Sequence, residues 1–162
     1  MGIFQNLFSK GSGKVVSPVN GKLVSLKAVS DPTFSDEILG KGAAVIPSDK
    51  RICAPVDGVV STVFPTGHAV AVTGNGGEEI LIHIGLDTVK LKGKHFTTHV
   101  SEGQEVKKGD LLIEADVEQI KEEGYDIITP IIVCNTDDFA DISMEEEGDV
   151  AQGDDILTLR KS

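Results

Sequence analysis

Four histidines, His68, His83, His95 and His99, are the residues of this 162-residue chain whose types and spacing offer the clearest chemistry. His83 sits in EEILIHIGLDTV, inside a run of Ile and Leu. Strand alternation places Ile80, Ile82 and Ile84 on one face and Leu81, His83 and Gly85 on the other. Taken alone, such a histidine reads either as a partly buried ring bonded to a backbone carbonyl or as a reactive group. His68, in FPTGHAVAV, stands at the entrance of the preceding strand, and TGNGG at 73–77 reads as the hairpin turn between the two. A loop centre near residue 75 sets residues 68 and 83 nearly opposite, where same-face neighbours approach within about 5 Å between Cβ atoms.

Two adjacent imidazoles among apolar neighbours permit a specific chemistry. A histidine nitrogen attacks phosphorus only when unprotonated, and apolar surroundings lower its pKa towards that state. Phosphoryl transfer then needs mainly positioning and electrostatic stabilisation. On this reading His83 is the acceptor, His68 holds a phosphoryl oxygen and Thr66 orients His68. Neither a metal nor a nucleotide cradle is required, and the chain carries no GxxxxGK[ST]. His95 and His99, in GKHFTTHVSEG, read as neighbours on one face of a solvated strand, since neither HExxH nor HxH accompanies them.

The elements that must position these side chains are mostly strands. GKLVSLKAV, AAVIP, GVVSTVF, AVAVT, EILIHI, LLIEAD, DIITPIIVC and DILTLR are short, rich in Val and Ile, and bounded by Gly, Pro, Asn or Asp. Only DVEQIKEEG, at 116–124, has a helical pattern. Two repeats sharpen the expectation of an all-β sandwich or barrel. SPVNGKLVSL at 17–26 echoes APVDGVVSTV at 54–63, and EGQEVKKGDLLIEA at 102–115 echoes EGDVAQGDDILTLR at 147–160. Both pairs imply a sheet of two similar halves around one core. KGSGK at 10–14 closes a flexible lead over residues 1–14, and residues 15–162 form a single domain.

Composition narrows the partners. The net charge is −11, and beyond residue 14 the balance is 13 basic against 26 acidic residues, or −13. Such a body repels phosphate backbones, which argues against nucleic acid and favours a partner with a basic face. The two cysteines, Cys53 and Cys134, have no CxxC spacing and read as small buried hydrophobes of a reducing cytoplasm. No apolar run reaches the length of a membrane span. The lead MGIFQNLFSK does carry Ile3, Phe4, Leu7 and Phe8 at helical spacing beside Lys10, a pattern that allows peripheral membrane contact through residues 1–10.

GEEILIHIGLDTV closely resembles the signature around the phosphorylated histidine of the glucose-type enzyme IIA of the bacterial sugar phosphotransferase system. The likeness continues through DPTFSDEILGKGAAVIPSD, APVDGVVSTVFPTGHAVAV, LKGKHFTTHVSEGQEVKKGD and TPIIVCN. It implies an antiparallel β-sandwich with duplicated halves and little helix. It also implies that His83 accepts phosphate through Nε2 with Nδ1 held by backbone, and that His68 and Thr66 support the phosphoryl group. Asp31 and Asp87 match aspartates that meet arginines of partners, and Phe34, Phe64, Leu81 and Val89 match the apolar rim. Relatives often have Phe in place of Leu81 and an apolar residue in place of Thr33. The implied partners are the histidine phosphocarrier protein as donor and a cysteine of the enzyme IIB domain as acceptor. In some relatives the unphosphorylated form also regulates transporters and enzymes. No cofactor is required, although zinc can bind the two histidines when a partner adds a carboxylate. Some members stand free and others are fused to a membrane permease.

Rival readings are weaker. EGQEVKKGDLLIE resembles a segment of biotinyl or lipoyl carriers, but no modifiable lysine stands in an MKM or DKA hairpin. A zinc peptidase on a duplicated β-scaffold needs HxH, which HIG at 83–85 breaks. A regulatory adaptor that only docks partners would carry the same histidines.

Overall fold

A computed structural model describes residues 12–161. All of its paired strands run antiparallel. With strands numbered along the chain, one three-stranded sheet joins β1 (Ser12–Val16), β14 (Asp155–Lys161) and β12 (Phe139–Met144) in that order. A second joins β4 (Arg51–Cys53), β10 (Leu111–Ala115) and β8 (Phe96–Thr98). The large sheet begins with β13 (Gly148–Val150), β2 (Gly21–Val24), β3 (Lys41–Pro47) and β11 (Thr129–Val133). It continues with β7 (Glu79–His83), β6 (Ala69–Gly74), β5 (Gly58–Val63) and β9 (Glu105–Val106).

The repeats occupy matching places in this order. SPVNGKLVSL supplies β2 and APVDGVVSTV supplies β5, and each strand starts on a glycine with no room for a side chain. A Cβ at Gly21 would lie 2.1 Å from the Ile46 carbonyl oxygen, and one at Gly58 would lie 2.0 Å from that of Thr73. The residue before each glycine ties the first repeat to the second. Asn20 Oδ1 accepts the Gln152 N–H at 2.7 Å, and Asp57 Oδ1 accepts the Lys108 N–H at 2.8 Å. The shared Gly-Asp pairs close equivalent turns, in which Asp110 accepts the Lys107 N–H and Asp154 accepts the Ala151 N–H. As a result β13 edges β2, β9 edges β5, and the large sheet is closed by like elements at both ends.

Leu23, Ile80, Ile82 and Ile131 of the large sheet meet Ile52, Leu112, Ile113, Ile156 and Leu157 of the smaller sheets in one buried core. Alternation sends the other set of side chains outward. On β2, β3 and β11 that outer set is Val24, Ala44 and Ile132, and it is buried too. The long connection over 25–40 covers it with Leu26, Val29 and Phe34. This connection contains a 3-10 turn at Leu26–Ala28 and a short helix α1 (Pro32–Ser35). Asp31 caps α1 by accepting the Thr33 N–H at 3.0 Å, with Pro32 as the first helical residue.

The structure corrects several expectations. Residues 26–28 of GKLVSLKAV leave the strand as the 3-10 turn, because the Ser25 hydroxyl accepts the Lys27 N–H. β1 already begins at Ser12, so part of the expected flexible lead 1–14 is strand paired with β14. Residues 1–10, with their expected membrane contact, lie outside the described residues. The helix at 116–124 is present as α2 (Val117–Glu122), capped by Asp116. Cys53 is buried, but Cys134 is exposed just past the end of β11. His95 and His99 do not share a strand face. His95 is left-handed (φ 76) ahead of β8 and bonds Glu123 with its side chain 8% exposed, whereas His99 follows β8 and meets Glu114 at 2.8 Å. No helix among the described residues is long and apolar enough to cross a membrane.

Candidate functional site

The hairpin of β6 and β7 carries both candidate histidines at its open end. Its register differs by one residue from the expected pairing, for Ala69 rather than His68 stands opposite His83. Within regular strands, residues 68 and 83 would then face opposite sides of the sheet. His68 escapes that alternation because it lies just before β6, after Gly67 in the left-handed region (φ 75). Its backbone carbonyl still accepts the Ile84 N–H at 2.7 Å, while its ring meets His83 on the outer face.

The two imidazoles stand edge to face, with centroids 5.2 Å apart and planes at 80°. An aromatic ring backs each of them. Phe34 lies 5.0 Å from His83, and Phe64 lies 5.3 Å from His68. Hydrogen bonds set their orientation. Nδ1 of His83 lies 2.8 Å from the Gly85 carbonyl oxygen. A carbonyl only accepts, so this nitrogen carries the hydrogen and Nε2 keeps its lone pair. Nδ1 of His68 is bonded to the Thr66 hydroxyl, which can donate and so leave the hydrogen on Nε2 of His68. Burial lowers the pKa of His83, opposed by the Gly85 carbonyl and by the charges of Asp31 and Asp87. Burial, and then the neighbouring His83, lowers that of His68. Burial thus favours the neutral form of both rings.

The expected rim residues divide by exposure. Val89 is 49% exposed, and Leu81 and Phe64 are half-buried. Phe34 is only 4% exposed, so it packs against the His83 ring rather than offering a surface. Asp31 is half-buried and partly engaged in capping α1, while Asp87 is exposed, left-handed (φ 61) and makes no capping bond. Thr33 is half-buried in α1. A cleft of about 380 Å³ lies between Asp31 and Pro32, Leu86 and Asp87, and the 124–126 turn. Its acidic lining includes Asp126, which the sequence reading missed. Also missed were Ile38 and Leu39, 68% and 41% exposed just beyond α1. Their signal was an apolar pair set among Asp36, Glu37 and Lys41.

No group of three or more His, Cys, Asp or Glu side chains among the described residues could hold a metal ion. His68 and His83 bring two imidazoles together, each with Nδ1 already tied, which is half of a tetrahedral zinc shell once His68 takes its other tautomer, with Nδ1–H donating to Thr66.

The family model described as phosphoenolpyruvate-dependent sugar phosphotransferase system, EIIA 1, matches residues 13–139. The PTS system beta-glucoside-specific EIIBCA component of Bacillus subtilis (strain 168) is 46% identical over 151 residues, which are 93% of this chain and 25% of that protein. The chain thus spans about a quarter of that relative's length. The PTS system glucose-specific EIIA component of Oceanobacillus iheyensis is 41% identical over 160 residues, covering 96% of this chain and 97% of that one. The solved structure of glucose permease IIA from Mycoplasma capricolum matches with a TM-score of 0.87 and 37% identity, over 93% of this chain and 97% of the other. Likeness of this degree, over a sheet whose duplication the sequence already carries, makes the chain a member of the EIIA 1 family of the phosphoenolpyruvate-dependent sugar phosphotransferase system.

Proposed function

We propose that the chain is a phosphocarrier that takes a phosphoryl group onto Nε2 of His83 from the phosphohistidine of the histidine phosphocarrier protein. It then passes the group to a cysteine of an enzyme IIB domain. The family's members are phosphotransferases of sugar transport. What chiefly supports the finer reading is the bond from Nδ1 of His83 to the Gly85 carbonyl, because it leaves Nε2 as the nucleophile. In the first step the Nε2 lone pair attacks phosphorus while the donor's N–P bond breaks and its electrons return to the donor ring. In the second, a cysteine thiolate attacks phosphorus and the His83 N–P bond breaks, which restores the lone pair.

The remaining residues serve positioning and charge. His68, with Nδ1 taking the Thr66 hydroxyl hydrogen, directs an N–H at a phosphoryl oxygen. Phe34 and Phe64 hold the rings and keep water from their inner faces. Asp31 and Asp87 attract basic groups of the donor and acceptor, and Val89, Leu81 and Phe64 give an apolar contact around the histidines. The fused EIIBCA relative supports an enzyme IIB domain as the acceptor. Zinc, where a partner supplies a carboxylate, would be held by Nε2 of His68 and His83, with the His68 hydrogen moved to Nδ1 and donated to Thr66, and would close the site to transfer. Two free cysteines accord with a reducing cytoplasm.

The test is incubation with radiolabelled phosphoenolpyruvate and the two general proteins of the system. Alkali-stable, acid-labile label is the expected result, and absence of label overturns the proposal.

A further inference from the structure

Three successive peptide groups link His83 to Leu86, and each is pinned from outside the turn. The Ile84 N–H donates to the His68 carbonyl at 2.7 Å, and the Leu86 N–H donates to the Asp126 carbonyl at 2.9 Å. Between them, the Ile84 carbonyl accepts the hydroxyl of Thr88. The outer two contacts are backbone to backbone, so only the middle one depends on a side chain.

Thr88 is 0% exposed and touches the turn with both branches. At Gly85, which is left-handed (φ 74), a Cβ would lie 2.7 Å from the Thr88 methyl and 2.8 Å from the Asp126 carbonyl oxygen. The Gly85 peptide is therefore clamped between Thr88 and residue 126, and its own carbonyl faces Nδ1 of His83. Thr88 opens the 3-10 turn Thr88–Leu91, where Asp87 makes no side-chain cap. Its hydroxyl does not cap that turn either, but reaches back to the residue after His83.

We propose that Thr88 is a positioning residue for His83. Its hydroxyl holds the Ile84–Gly85 peptide so that the Gly85 carbonyl stays on Nδ1, which keeps the hydrogen there and Nε2 free. The consequence for rate rests on the phosphocarrier reading; the tautomer does not. Thr88→Val keeps the size and methyl contact but leaves the buried Ile84 carbonyl without its partner. Thr88→Ser keeps the hydroxyl and loses the methyl.

Nitrogen-15 spectra of the imidazoles separate the two roles. The parent and Thr88→Ser should show His83 as a single Nδ1–H tautomer, and Thr88→Val should show a mixture. Phosphoryl acceptance should fall roughly 3- to 10-fold in Thr88→Val, the size of one lost hydrogen bond, and return towards the parent rate in Thr88→Ser. A folded Thr88→Val that keeps the single tautomer overturns the proposal, whatever its rate. Should the Val variant fail to fold, Thr88→Ser decides: a single tautomer supports the assignment and a mixture overturns it. A parent that accepts no phosphoryl group would sink the phosphocarrier reading and leave the tautomer comparison standing.

Discussion

In the second half of the duplicated sheet His83 stands opposite Ala69, while in the first half Ile132 stands opposite Gly42. These are equivalent rungs. Gly58 pairs with Gly74 and Gly21 with Pro47, and Ala69 precedes Gly74 by as much as Gly42 precedes Pro47. Ile132 is 0% exposed beneath the connection over 25–40, whereas His83 is half-exposed. The corresponding connection of the second half, over 64–68, is too short to cover that face, and it contributes Phe64, Thr66 and His68 instead. The candidate site is thus the uncovered counterpart of a covered patch. The covering segment of one half also serves the other, since Phe34 lies against the His83 ring.

The strongest way to break this comparison is to exchange the roles of its two rungs. His83→Ala should abolish phosphoryl labelling while the stability changes by under about 2 kcal/mol, as read by a denaturant melt. Retained labelling would move the acceptor elsewhere. His68→Gln keeps an amide donor of similar reach, so acceptance should survive. Onward transfer should drop about 30- to 1000-fold, or roughly 2–4 kcal/mol, because an imidazole can become positively charged as charge develops on the phosphoryl oxygens and an amide cannot. Rapid-quench transfer to an enzyme IIB domain measures this, and a parent-like rate would make His68 a bystander. At the covered rung, Ile132→Ala should cost about 2–5 kcal/mol of stability and leave acceptance by the folded fraction unchanged.

The far end of the same hairpin offers a contrast in how buried ionisable groups are held. Glu78 is 3% exposed, and its Oε1 has no hydrogen-bond partner. Its carboxyl packs so closely on Gly74 that a Cβ there would lie 2.2 Å from Cδ. Burial pushes its pKa up, against the N–H groups of Glu78 and Gly76 and the charges of Lys161 and Lys108. A raised folded-state value means stability that is full below the ordinary glutamate range and lost as pH rises through the folded-state pKa. The melting temperature of Glu78→Gln should therefore gain on the parent's as pH rises above the ordinary glutamate range. Parallel pH profiles would remove the carboxylate from the account. The smallest effect is expected at Asp87. Asn tolerates its left-handed backbone, so Asp87→Asn should slow association with the phosphocarrier by a factor of about 2 to 5 at low salt and less at high salt. A loss independent of salt would point to the turn rather than to steering.

What was legible in the chain itself was local. Alternation in EILIHI put His83 on the face away from Ile80 and Ile82, and those two are core residues. The two Pro-Val-Asn/Asp-Gly repeats foretold the two glycine-led strands, since each glycine answers a carbonyl of the adjacent strand at the same rung. The two-residue strand β9 was not legible, because Glu105 and Val106 are too few to carry an alternation.

Tertiary structure decided the rest, wherever a side chain leaves the strand pattern or a contact comes from a distant segment. The hairpin register could be counted to within one residue, but the ring of His68 reaches His83 only because Gly67 turns the chain before β6. The ring of Phe34, the Asp126 carbonyl behind Gly85 and the exposure of Ile38 depend on how non-adjacent connections drape over the sheet. Periodicity and turn chemistry are written in neighbouring residues, so the sequence by itself determined the strands, the duplication and the face on which His83 stands. Which ring backs it, which nitrogen is left free and which half lies open come from contacts between segments far apart in the chain, and only packing of the whole sheet decides those.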